Sequence, residues 1–144
     1  MLYNVHKKEI SMKNKNLVLI IFIIAITSFA GCTSQKETSV SSYEKITATE
    51  AKDMMDENSD IIILDVRTEE EFNSGHVEGA LLIPDNEISD TAEDKLKDKS
   101  ATILVYCRSG RRSALAANDL VKLGYSNVYD FGGIIDWKYD IVTE

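Results

Sequence analysis

Eight consecutive residues, Tyr106-Cys107-Arg108-Ser109-Gly110-Arg111-Arg112-Ser113, bring together a thiol, a conformationally free glycine and three guanidinium groups. A thiolate is the nucleophilic form of cysteine, and its population at neutral pH depends on the charges and donors around the sulfur. A short loop through Gly110 can curl backbone amides towards Cys107. A helix beginning just after it would aim the positive end of its dipole at the same point. With three nearby arginines, each effect favours the anion. The segment therefore predicts Cys107 as a nucleophile of depressed pKa, with Arg108, Ser109, Gly110, Arg111, Arg112 and Ser113 as a cradle that would also accept an anionic substrate. The plainer alternative is a small buried hydrophobe beside three solvated arginines.

These residues need a strand to deliver the sulfur and a helix to receive the loop. Residues 102–106, TILVY, read as a strong strand, and residues 114–123 as a helix stopped by Gly124. Upstream, Thr47 and Glu50 form a capping-box signature for a helix over residues 48–57. The run IIILDV at residues 61–66 suggests a strand buried on both faces. Thr68 and Glu71 form a second capping box, Phe72 anchors a short helix ending near Gly75, and the acidic Glu69-Glu70-Glu71 suits its first turn. Residues 81–83 and 127–129 read as further strands, and a short helix is expected around Trp137, itself a core or rim aromatic. Strands alternating with helices predict an α/β fold with a mainly parallel central sheet of about five strands and helices on both faces. Reactive groups in such sheets lie at the carboxyl ends of the strands, where Cys107 and the pair Asp65 and Arg67 fall.

The loop resembles the active-site loop of the rhodanese family of sulfurtransferases, in which a cysteine opens a six-residue loop closed by an arginine. The resemblance extends through the domain. Residues 64–72, LDVRTEEEF, are similar to the family's "DVR…E(F/Y)" segment. Residues 75–80 with Ile83-Pro84 are similar to "GHIPGA…IP", with Glu78 where Pro is common, and Gly132-Gly133 with Trp137 to the closing "GG…W". The resemblance implies a small rhodanese-like domain in which Cys107 takes a sulfane sulfur from an anionic donor such as thiosulfate. The persulfide then passes it to cyanide or a thiol. It also implies that Asp65 and Arg67 brace the active loop rather than perform chemistry, and that no metal or organic cofactor is needed. Related phosphatases and arsenate reductases use a longer C-x5-R loop that wraps a tetrahedral oxyanion. Cys107 and Arg112 enclose four residues, which favours sulfur over phosphate. No base is needed once the thiolate is preformed, so His76 is expected to be a hydrogen-bonded structural histidine.

Two further readings use the same cysteine: a sulfur or redox carrier serving a protein partner, and a protein-interaction module. The first would draw any resolving thiol from its partner.

The remainder of the chain concerns location. The 144 residues carry 16 Lys+Arg against 24 Asp+Glu, a formal charge of −8 that argues against a nucleic-acid partner. The average hides a split between +3 over residues 1–31 and −11 over residues 32–144. Four lysines precede an apolar run at residues 17–29, LVLIIFIIAITSF. As a helix the run would reach about 20 Å, against a hydrocarbon core of about 30 Å. It reads as a signal peptide over residues 1–31 rather than an uncleaved anchor, and Met12 is an alternative start. Ser28-Phe29-Ala30-Gly31-Cys32 resembles the lipobox of bacterial lipoproteins, with Phe29 where Leu is usual. Cys32 is then the lipidation site, unless it is an incidental cysteine beside an ordinary cleavage site. Polar residues 32–42 form a tether too poor in apolar surface to fold, and residues 43–144 form the domain. The expected location is the cell membrane, lipid-anchored, with the domain on the extracytoplasmic side.

Overall fold

The computed structural model describes residues 42–143. The segments read above as export signal, lipidation site Cys32 and, apart from Ser42, tether lie outside the described residues. Five strands form one sheet in the order β1-β5-β4-β2-β3: β1 (Glu44–Lys45), β2 (Ile62–Asp65), β3 (Leu81–Leu82), β4 (Thr102–Cys107) and β5 (Asn127–Gly133). All adjacent strands pair in parallel. Between them run α1 (Ala48–Glu57), α2 (Glu69–Asn73), α3 (Ile88–Lys95) and α4 (Arg111–Lys122), with 3-10 turns at Asp85–Glu87 and Ile134–Asp136. The α/β class and the parallel five-stranded sheet are borne out.

Strand periodicity places two cores on the two faces of the sheet. On one face Leu64, Val66, Ile103, Val105 and Cys107 pack with Ile88 and Ala92 of α3 and with Ala116, Ala117 and Leu120 of α4. On the other, Leu104, Tyr106 and Phe131 pack with Ala51 of α1, Val77 and Trp137. Each fully buried aliphatic contributes roughly 1.5–3 kcal/mol of transfer free energy, so central β4 is the best-anchored strand. Both capping boxes form: Thr47 Oγ1 accepts from the Glu50 amide and Thr68 Oγ1 from the Glu71 amide, each at 3.2 Å.

The boundaries differ from expectation at four places. β1 is a two-residue exposed edge strand with no apolar signature. α3 has only Ile88 and Ala92 buried, too thin a stripe to read as a helix. β5 continues through Asp130 to Gly133, across residues that usually end strands. Helix α4 starts inside the arginine loop at Arg111 rather than at 114.

Candidate active site

Cys107 is the last residue of β4, and there the sheet is irregular. Val105 pairs with Asp130, but Cys107 pairs with Gly133, a register shift that turns the chain out of the sheet into the loop. Gly110 takes a left-handed backbone, φ 91°, and is the N-cap of α4. A side chain is strained in that conformation, which accounts for glycine at this point.

Glycine offers no side-chain cap, and α4 has none. Its first amides therefore need another acceptor, and the Cys107 sulfur lies where they converge. The Gly110 amide donates to Cys107 Sγ at 3.1 Å. Cys107 as a whole residue is buried, 1% exposed. Burial pushes the Cys107 thiol up, but hydrogen bonds from the Ser113 amide and hydroxyl and from the Ser109 and Gly110 amides outweigh it, so its pKa lies below the ordinary thiol value. The sulfur in effect caps the helix.

The structure distributes the arginines unequally. Arg108 and Arg111 are exposed at the mouth, and no ion pair engages them among the described residues. Arg112 is half-buried and makes a bidentate pair with Glu71, Nη1 to Oε2 at 2.7 Å and Nη2 to Oε1 at 2.8 Å. The three guanidinium groups thus do not act as three equivalent charges on the sulfur.

Ser113 is fully buried, its Oγ 3.2 Å from the carbonyls of both Gly110 and Gly132, so it joins the loop to the end of β5. Gly133 packs tightly against the loop. A Cβ there would lie 2.5 Å from Arg108 O, 2.6 Å from Ser109 Cα and 2.9 Å from Ser109 N.

Asp65 and Arg67 sit beside this assembly, at the end of β2, as a buried ion pair. Arg67 Nη2 donates to Asp65 Oδ2 at 2.6 Å and to the Gly75 carbonyl at 2.8 Å. The Arg67 guanidinium lies 5.6 Å from the ring centroid of Tyr106, the residue before Cys107. Neither residue touches Cys107 by a hydrogen bond. His76 stacks on Phe72 at 3.7 Å, and its Nδ1 donates to the Phe72 carbonyl at 3.0 Å. Trp137 packs 5.7 Å from Phe131, centroid to centroid.

Two residues of the site were not anticipated from sequence. Glu71 reads there only as a capping residue, yet its carboxylate also holds Arg112. Asp130 lies just past the strand expected at residues 127–129, yet it is fully buried in the middle of β5. Its Oδ1 accepts from the Gly132 amide at 3.0 Å, and its Oδ2 has no partner among the described residues. The only sequence signal for it was position, two residues before Gly132. Among the described residues no group of three or more His, Cys, Asp and Glu is arranged to hold a metal ion.

Comparison with known proteins agrees with this geometry. The family model of the rhodanese-like domain matches residues 47–140. The chain is 38% identical over 73 residues to the thiosulfate sulfurtransferase PspE of Escherichia coli, covering 51% of this chain and 70% of that protein. It is 33% identical over 97 residues to the thiosulfate sulfurtransferase GlpE of Coxiella burnetii, covering 67% and 88%. The crystal structure of a rhodanese-like domain protein from Staphylococcus aureus superposes with a TM-score of 0.59 at 32% identity, covering 70% of this chain and 98% of that one.

Proposed function

The chain belongs to the rhodanese-like domain family, and from that premise we propose that it is a sulfurtransferase whose sulfur carrier is a persulfide on Cys107. The Cys107 thiolate attacks the outer sulfur of thiosulfate. A new S–S bond forms on the protein, the S–S bond of the donor breaks, and its electron pair leaves with sulfite. Cyanide or a thiolate then attacks the outer sulfur of the persulfide. That sulfur leaves on the acceptor, and the electron pair of the broken S–S bond regenerates the thiolate. Donors on the loop stabilise the anion at each stage without reorganising. Arg108 and Arg111, whose charges no carboxylate takes up among the described residues, attract the anionic donor, while Arg112 is held in place by Glu71.

One observation carries this reading: the Gly110 amide, at the start of an otherwise uncapped helix, donates to Cys107 Sγ at 3.1 Å. Four residues between Cys107 and Arg112 favour a sulfur atom over a phosphoryl group as cargo. We place the working domain at residues 43–144, tethered by residues 32–42 to a lipid-modified Cys32 on the extracytoplasmic face of the cell membrane, after removal of the signal at residues 1–31. The test of the activity is turnover of thiosulfate with cyanide set against hydrolysis of a phosphate monoester by the same preparation. Thiocyanate production without phosphate release is expected. Phosphate release as the faster reaction would overturn the assignment.

A further inference from the structure

The mouth over Cys107 carries apolar groups that a small anion has no use for. Among the described residues the two most exposed large aliphatics are Ile135, 65% exposed, and Leu115, 54% exposed, and both border the active loop. The Ile135 amide donates to the Arg108 carbonyl at 3.3 Å, so Ile135 stands beside Arg108. Leu115 follows Arg111 by one turn of α4 and shares its exposed face. The rim is therefore two arginines with no carboxylate partner among the described residues, each with an exposed aliphatic neighbour. Thiosulfate and cyanide are strongly hydrated, and neither gains from Leu115 or Ile135. A polypeptide does, through burial of apolar surface.

Resting on the sulfurtransferase reading, we propose that the rim of Arg108, Arg111, Leu115 and Ile135 docks a protein sulfur acceptor, which presents its thiol on a slender segment bearing acidic and apolar side chains. Charge complementarity selects the acid: the mouth is cationic on a chain that is otherwise acidic, −11 over residues 32–144. That background repels a broad acidic face, so only a narrow segment approaches the two arginines favourably. The burial of Cys107, 1% exposed as a residue, likewise requires a thiol on an extended tail or loop. In the transfer the acceptor thiolate attacks the outer sulfur of Cys107–S–SH. The new S–S bond forms on the acceptor, the bond to Cys107 breaks, and its electron pair returns to Cys107 as thiolate. The acceptor leaves as a persulfide, and no outside oxidant or reductant is consumed.

The experiment loads the full chain with thiosulfate and follows sulfur transfer to short cysteine peptides flanked by Asp and Leu, by Lys and Ser, or by Ser alone. Cyanide is the small-acceptor control. The Asp/Leu peptide is expected to react with a kcat/KM about tenfold above the others. The double variant Leu115→Ser/Ile135→Ser is expected to lose most of that preference while its cyanide turnover stays unchanged. Equal rates for the three peptides, or a preference the double variant retains, would overturn the proposal. So would equal peptide rates together with binding of the wild type, but not the double variant, to phosphatidylglycerol vesicles, which would make the rim a lipid contact. Failure to load any sulfur would instead remove the underlying sulfurtransferase reading, and is seen before any peptide is added.

Discussion

At Cys107 two effects of opposite sign compete. Burial disfavours the charged sulfur, while donors from Ser113, Ser109 and Gly110 favour it and prevail. Ser113 enters twice, through its amide and its hydroxyl, so replacing it separates the contributions. Ser113→Ala keeps the amide and removes the hydroxyl. Its thiol is expected to titrate at higher pH than the wild type, with slower alkylation by iodoacetamide at neutral pH. The pH dependence of alkylation measures this, and an unmoved midpoint would show that the amides alone hold the thiolate. The cysteine and its cradle were legible because their residue types are consecutive in the chain. Their charge balance was not. Glu71 is 41 positions from Arg112, and nothing local to either residue announces the bidentate pair. Asp130 was illegible for a related reason, since its burial depends on β5 running four residues past the strand read at 127–129.

The elements meet the loop from two sides. Glu71 closes the capping box of α2, its Oε2 accepting from the Thr68 amide at 3.1 Å, and also holds Arg112 in the first turn of α4. The hydrogen-bonded Arg112 guanidinium beside it draws its pKa from 4.5 down to about 2. A carboxylate with a depressed folded pKa contributes stability above its unfolded value, and loses it as pH falls through the folded one. The stability difference between wild type and Glu71→Gln should therefore be full at neutral pH and shrink as pH falls from 4.5 towards about 2. Thermal melts across that range test it, and a pH-independent difference would contradict it. On the other side β5 supplies Gly133, whose missing side chain lets the loop backbone lie against the strand. Gly133→Ala forces a shift of backbone atoms, an overpacking cost of about 1–3 kcal/mol. Turnover is expected to fall at least about tenfold while the chain stays folded, for a misplaced catalytic loop costs more in rate than in stability. Wild-type turnover in this variant would show that the close approach has no role. Helices with capping boxes and strands with continuous β-branched runs were legible from sequence. Polar α3 and edge strand β1 were not, because sheet and helix neighbours rather than their own composition hold them in place.

Over the whole molecule, charge is arranged by job. A short basic and apolar segment precedes an acidic one, and within the acidic one three arginines cluster beside Cys107. In the proposed arrangement Cys32 anchors the chain, so Cys32→Ser is expected to move the protein from the membrane fraction to the soluble extracytoplasmic fraction with turnover per molecule unchanged. Retention in the membrane fraction would refute lipid attachment at that residue. Fold class was legible at this scale from the alternation of strands and helices. Which end of the sheet carries Cys107 was legible too, because parallel strands collect their loops at the carboxyl edge. The central claim is that Cys107 carries the sulfur, and intact-mass spectrometry after exposure to thiosulfate and removal of excess donor tests it most directly. The wild type is expected to gain about 32 Da, one sulfur atom, to lose it on addition of cyanide, and to show neither change as Cys107→Ser. An unchanged wild-type mass, or the same gain in Cys107→Ser, would contradict the account.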